Sequence, residues 1–125
     1  ADIGGTPHQY EAMAKAKAEN WTLVRGDSGS EETLEKVKKA LGGRQVGLLF
    51  IDGEHTRTAA ERDYALYGPL LEQTGIVAFH DITLPELWVM WCVLRGKRNP
   101  ALSVEFIDSK QRIGIGALVG RDEDI

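Results

Sequence analysis

The chain has 125 residues, 13.8 kDa, 42% apolar and 27% charged, with 15 basic against 19 acidic side chains. A chain of that size buries roughly 65–70% of its unfolded surface, enough for one core, and its composition excludes intrinsic disorder. A net charge of -4 argues against a nucleic-acid or anionic-membrane binder, because both need a basic face that displaces counterions.

From the N-terminus, Thr6 as N-cap and Pro7 at the first helical position open an amphipathic helix running to Glu19. Residues 21–24 (WTLV) form a short strand-like run. Leu34, Val37 and Leu41 share one face of a second helix, Glu31 to Leu41, that ends at Gly42-Gly43. Two apolar runs follow, Val46 to Ile51 (VGLLFI) and residues 76–79 (IVAF), and neither alternates with polar residues. Such runs are the pattern of strands buried on both faces, as in parallel sheets.

Between them, Thr58 with Glu61 reads as a capping box, and Ala60, Tyr64, Tyr67 and Leu71 lie on one face of a helix that Gly68-Pro69 ends. A second capping box, Thr83 with Glu86, opens a helix carrying Leu87, Trp91 and Leu94 that stops by Gly96. Residues 88 and 91 share a face of it while Met90 points elsewhere, so core packing or an oligomer interface would absorb its aromatic residues. Residues 104–107 and 113–119 are two further strands, separated by only a hairpin-length segment, so one of them runs antiparallel. Alternating strands and helices build βαβ units with helices on both faces. Cys92, the one cysteine, sits in an apolar run as a small core residue and fits a reducing compartment. Neither a membrane-length apolar stretch nor a signal pattern is present, so the expected location is the cytoplasm.

Ligands of open α/β sheets bind beyond the carboxyl ends of the strands. Those ends are polar here: Asp27-Ser28, Asp52-Gly53-Glu54-His55 and His80-Asp81, with Asp2 at what reads as the tail of another strand. If their strands are neighbours, Asp52, His55, His80 and Asp81 converge, because strand tips lie about 4.8 Å apart. Such a set can hold a divalent cation. Carboxylates suit Mg²⁺ or Mn²⁺, whereas two histidines with one carboxylate suit Fe²⁺ or Zn²⁺. The alternative is plain: Asp52 and Asp81 cap helices and His80 is a hydrogen-bonded core residue.

The stretch 21–82 resembles the second half of a class I S-adenosylmethionine-dependent methyltransferase, in the small-molecule O-methyltransferase branch that includes the cephalosporin-hydroxylase-like proteins. The carrying motifs are GDS at 26–28, LLFIDGEH at 48–55, Asp63 with Tyr67 and Pro69-Leu70-Leu71, and AFHDI at 78–82. The resemblance implies an α/β, Rossmann-like, mostly parallel sheet flanked by helices with an antiparallel C-terminal hairpin, here a single partial domain over residues 1–125. It also implies roles: Asp2 for the ribose of S-adenosylmethionine, Asp27 and Ser28 for its adenine, and Asp52 facing the methyl donor. Asp52, His80 and Asp81 would ligate Mg²⁺ or another divalent cation, and His55 would act as base or orient the substrate. A capping box of Asp27 and Ser28 with Glu31 is compatible with the adenine role.

The family's first strand and glycine-rich loop are missing from the expected place, and Gly4-Gly5 lacks the spacing to replace them. The sheet would then close up with residues 21–24 beside Val46 to Ile51, or a partner chain would fill the gap, or the chain is a fragment; a fragment or reduced variant that self-associates is the favoured expectation. Arg57 and Arg62 are candidate contacts for an acidic substrate. The functional expectation is metal-assisted O-methylation of a small hydroxylated molecule. Its rivals are a metal-dependent oxygenase or hydrolase built on Asp52, His55, His80 and Asp81, and a non-catalytic oligomerising module of the same fold.

Overall fold

A computed structural model describes residues 21–99, 102–108, 110 and 113–121. The helix expected from Pro7 to Glu19, and Asp2, lie outside them. The chain divides into two compact units, residues 1–43 and 44–125.

In the first unit, helix α1 spans Glu31–Leu41. Its N-cap is Ser30, whose side chain accepts from the Thr33 N–H at 3.2 Å, so the capping box expected of Asp27 and Ser28 is displaced by two to three residues. The helix ends where Gly42 takes the left-handed conformation (φ 60°) that only glycine adopts without penalty. Residues 21–25 have no regular secondary structure. A strand requires ladder partners, and residues 21–24 are not assigned to any strand, so the strand expected there is not found.

The second unit is an open α/β sheet of four strands: β1 (Val46–Ile51), β2 (Leu71–His80), β3 (Ser103–Asp108) and β4 (Ile113–Val119), in spatial order β1-β2-β4-β3. β1 and β2 are parallel, and β4 lies antiparallel between β2 and β3, so the chain's last two strands form the expected hairpin and three of the four run one way. The fold is Rossmann-like, with helices α2 (Arg57–Tyr67) and α3 (Pro85–Gly96) as crossover and flank. β2 is longer at its start than the apolar run 76–79. Its polar residues find partners beyond β4, where the Gly120 and Arg121 N–H groups donate to the Gly75 and Gln73 carbonyls.

Both helix starts differ from the capping boxes read in the sequence. Thr56, not Thr58, caps α2, accepting from the Ala59 N–H at 3.2 Å. Glu61, the carboxylate a Thr58 box would need, is taken by Arg57 Nε at 2.6 Å across the first turn. α3 begins at Pro85 with Leu84 as N-cap and no side-chain cap. The Leu84 N–H is already used by the Asp81 carbonyl at 3.1 Å, and Pro85 at N1 has no N–H to satisfy.

α2 and α3 pack on the same face of the sheet. Phe79 of β2 sits edge-on to Tyr64 of α2 (centroids 5.5 Å, 84°) and tilted against Trp91 of α3 (6.2 Å). Leu87, Met90, Trp91 and Leu94 form the core-facing stripe of α3, with Met90 and Trp91 fully buried. Met90 therefore points inward with Trp91, while Trp88 lies outside, under the Arg95 guanidinium at 5.6 Å. Cys92 is half-buried rather than central, 3.5 Å from an Arg95 nitrogen. The opposite sheet face exposes Leu48, Phe50, Ile76, Val104 and Phe106.

Arg98 joins the elements at the end of α3. Its Nη1 donates to the Gly120 carbonyl at 2.8 Å and the Val119 carbonyl at 3.1 Å, and its Nη2 donates to the Tyr64 hydroxyl at 3.1 Å. Arg98→Ala removes three charge-assisted bonds and is expected to lower stability by about 2–3 kcal/mol in urea denaturation. An unchanged midpoint would show that water replaces the guanidinium without cost.

Candidate active site

β1 and β2 are parallel neighbours with Ile51 paired to Phe79, so the residues that follow them, Asp52 and His80, emerge side by side at the carboxyl end of the sheet. His80 Nδ1 lies 3.2 Å from Asp52 Oδ1 and 2.8 Å from Asp81 Oδ2. His55, four residues beyond β1 in the turn before α2, brings Nε2 to 2.9 Å from the same Asp81 oxygen. One carboxylate oxygen is thus shared by two imidazoles.

Asp81 is held there by an unusual backbone. It is the one non-glycine with positive φ (59°) among the described residues. Fully buried Ile82 follows it, with its N–H bonded to the Gly114 carbonyl, and the Leu84 N–H closes a turn back onto Asp81. Aspartate is among the few residues that tolerate this conformation, and strain of this kind concentrates at functional sites.

His80 Nδ1 is buried and makes no hydrogen bond despite two carboxylate oxygens within ion-pair distance. The oxygens are near enough but lie off the direction in which the ring nitrogen bonds. The three atoms nevertheless form a compact triad within 4.8 Å of one another. A cation at about 2.1 Å from two ligands set at right angles places those ligands about 3.0 Å apart. The two edges that meet at His80 Nδ1, 2.8 and 3.2 Å, bracket that spacing. With one nitrogen and two carboxylate oxygens the donor set fits a divalent cation.

Beneath the polar tips is a narrow cleft, floored by Phe79, Leu87 and Met90, with about 10 Å³ of room, the space of about one water molecule. Arg57 and Arg62 face carboxylates of their own helix, Glu61 at 2.6 Å and Asp63 at 3.8 Å.

The first unit holds Asp27 and Ser28. Asp27 Oδ1 accepts from the Gly29 N–H at 2.9 Å, and its carbonyl accepts from the Ser30 N–H at 3.0 Å, so the loop turns tightly about Asp27. Gly26 precedes it at φ 148°, and a Cβ there would land on the buried Thr33 hydroxyl, which makes glycine obligatory.

A methyltransferase-domain family model matches residues 4–82. The chain belongs to that family of methyltransferases. No curated protein and no solved structure matches it significantly. The family's methyl donor is S-adenosylmethionine, and the matched span ends at Ile82, so it includes Asp27, Ser28, Asp52, His55, His80 and Asp81. No helix among the described residues is long and apolar enough to cross a membrane.

Asp63 has a bearing on the site beyond its place in the sequence motif with Tyr67. Asp63 of α2 is buried, and its Oδ2 lies 3.4 Å from where a Cβ on Gly53 would stand. Its signal in the sequence is a charge on the apolar face of α2, one position before Tyr64.

Proposed function

We propose that this methyltransferase domain carries out metal-assisted O-methylation of a small hydroxylated molecule, with Asp52, His80 and Asp81 as cation ligands and His55 as base. The observation that carries the reading is the Asp52–His80–Asp81 triad, whose central nitrogen is buried without a hydrogen bond. A cation held by Asp52, His80 and Asp81 would lower the pKa of a coordinated hydroxyl, which is the activation that an oxygen nucleophile needs. S-adenosylmethionine supplies a methyl group on a positively charged sulfur. The acceptor oxygen forms the new bond to that methyl carbon as the carbon–sulfur bond breaks, its electron pair going to sulfur. The hydroxyl proton goes to His55. Because His55 Nε2 faces the Asp81 carboxylate, it is the protonated nitrogen, and Nδ1 carries the lone pair that accepts.

Asp2, Asp27, Ser28 and Asp52 are the proposed contacts for S-adenosylmethionine. We place the protein in the cytoplasm and read its partners as a small-molecule acceptor and a second copy of itself, with neither nucleic acid nor membrane. Self-association is favoured by the exposed apolar sheet face, a kind of surface monomers rarely leave open.

Calorimetric titration of the chain with S-adenosylmethionine, with and without Mg²⁺, tests the reading. Micromolar binding that Asp2→Ala weakens is the expected result. Absence of binding in both conditions would remove the catalytic reading and leave the oligomerising module of the same fold. A site that takes Fe²⁺ or Zn²⁺ in strong preference to Mg²⁺ would favour an oxygenase or hydrolase instead.

A further inference from the structure

Asp63 is one of two buried polar or charged residues among those described, and neither the cation triad nor the proposed base uses it. A buried carboxylate is costly unless donors surround it, so its presence on the inner face of α2 needs a reason. The two oxygens face different ways. Oδ1 is turned to Arg62 Nε at 3.8 Å, and Oδ2 lies against Gly53, at 3.4 Å from the position of a Cβ on that residue. Gly53 is the residue between Asp52 and Glu54 in the short turn that carries Asp52 to His55. That turn has no helix or strand hydrogen bonds of its own and is exposed at each of residues 52–55. Nevertheless two of its side chains meet partners on the far side of the site, Asp52 on His80 and His55 on Asp81. An exposed turn without a ladder holds such a geometry only if something beneath it fixes the backbone.

We propose that Asp63 is the positioning residue of the Asp52–His55 turn. Its carboxylate is the floor on which the turn rests, accepting from turn backbone N–H groups while Arg62 balances its charge. At Gly53 the turn runs close over the carboxylate, with even a Cβ there standing in ordinary van der Waals contact with Oδ2. Asp63 thereby sets where the Asp52 carboxylate and the His55 imidazole stand relative to His80 and Asp81. This rests on reading Asp52 and His55 as site residues, but its test does not depend on any ligand.

The test is ¹⁵N relaxation of the full 125-residue chain, free of ligand, in the wild type and in Asp63→Asn, which keeps the shape and removes the charge. The expected wild-type order parameters at Gly53, Glu54 and His55 are those of rigid backbone, about 0.85, falling below about 0.6 in the variant while α2 and β2 stay rigid. A wild-type turn that is already flexible overturns the inference. So does a variant in which the turn stays rigid, or in which α2 loosens equally, since Asp63 would then be a packing residue only. Should Asp63→Asn fail to fold, Asp63→Ser, smaller and still an acceptor, decides by the same readout, and unfolding of both variants overturns the proposal. S-adenosylmethionine titration of the wild type decides the methyltransferase reading separately, so the two can fail independently.

Discussion

Trp91→Ala is expected to destabilise the protein by about 3–5 kcal/mol, a large fraction of the roughly 5–15 kcal/mol total stability typical of a domain. Trp91 is fully buried, packs against Phe79, and donates from Nε1 to Glu105 Oε1 at 2.7 Å. Its indole also covers Gly116 on β4 so closely that a Cβ there would stand 2.7 Å from Cε2 and Cζ2. Gly116→Ala alone therefore overpacks the core and is expected to cost about 1–3 kcal/mol. The two changes act on one contact, so they should not add. In the Trp91→Ala background the new methyl enters the cavity, and Gly116→Ala becomes neutral or stabilising. Urea denaturation followed by far-UV circular dichroism, which does not rely on the tryptophan removed, measures the cycle. Simple additivity would show that β4 and α3 are not held by this contact. Glu105 keeps its Arg95 partner in the variant, so the loss is mainly of packing rather than of a stranded charge.

The same α3 segment shows why part of the fold was legible in the sequence and part was not. Glycine at 114 and 116 weakens the reading of residues 113–119 as a strand on propensity alone. The structure supplies the reason for both: Gly116 lies under Trp91, and a Cβ on Gly114 would fall 2.8 Å from Thr83 Cγ2. That reason is tertiary and invisible to a local pattern. The apolar runs 46–51 and 76–79 were legible as strands from their composition, but the expected burial on both faces is not found: Ile51, Val77 and Phe79 are buried on the helix-covered face, whereas Leu48, Phe50 and Ile76 are exposed on the other. The first part of β2, Leu71 to Gly75, was not legible, because Glu72, Gln73 and Thr74 are exposed and their strand character comes from partners after β4. Residues 21–24 fail in the opposite sense, with strand composition but no ladder. The helix starts moved because Arg57 captured Glu61 and Pro85 claimed the first helical position, competitions between neighbours that a single cap motif does not register.

At the site, the neighbouring strand tips were legible, since parallel pairing of two apolar runs places Asp52 and His80 together. What the sequence does not convey is the left-handed turn at Asp81 that folds its carboxylate onto both histidines, or the buried carboxylate of Asp63 below Gly53. Both arise from the way Ile82 and α2 are packed.

Asp81→Asn is expected to weaken Mn²⁺ binding by about 100-fold, the upper end of what loss of even an outer-shell partner costs a metal site. Asparagine is the informative replacement because it also tolerates positive φ, so the backbone at φ 59° is retained while the charge is removed. Alanine at the same place would add about 1–2 kcal/mol of backbone strain and confuse the two effects. Mn²⁺ at a concentration 100 times the wild-type dissociation constant should stabilise the wild type by about 2.7 kcal/mol, since only the folded chain assembles the triad. At the same concentration a 100-fold weaker site leaves a concentration equal to the dissociation constant, and the stabilisation falls to about 0.4 kcal/mol. Thermal melts with and without Mn²⁺ read this directly, and the difference between 2.7 and 0.4 kcal/mol is roughly 10 °C for a chain of this length. Equal Mn²⁺ stabilisation of wild type and variant would place the cation elsewhere. Absence of stabilisation in the wild type would mean that Asp81 serves only to orient His55 and His80, leaving the imidazoles to do their chemistry without a metal.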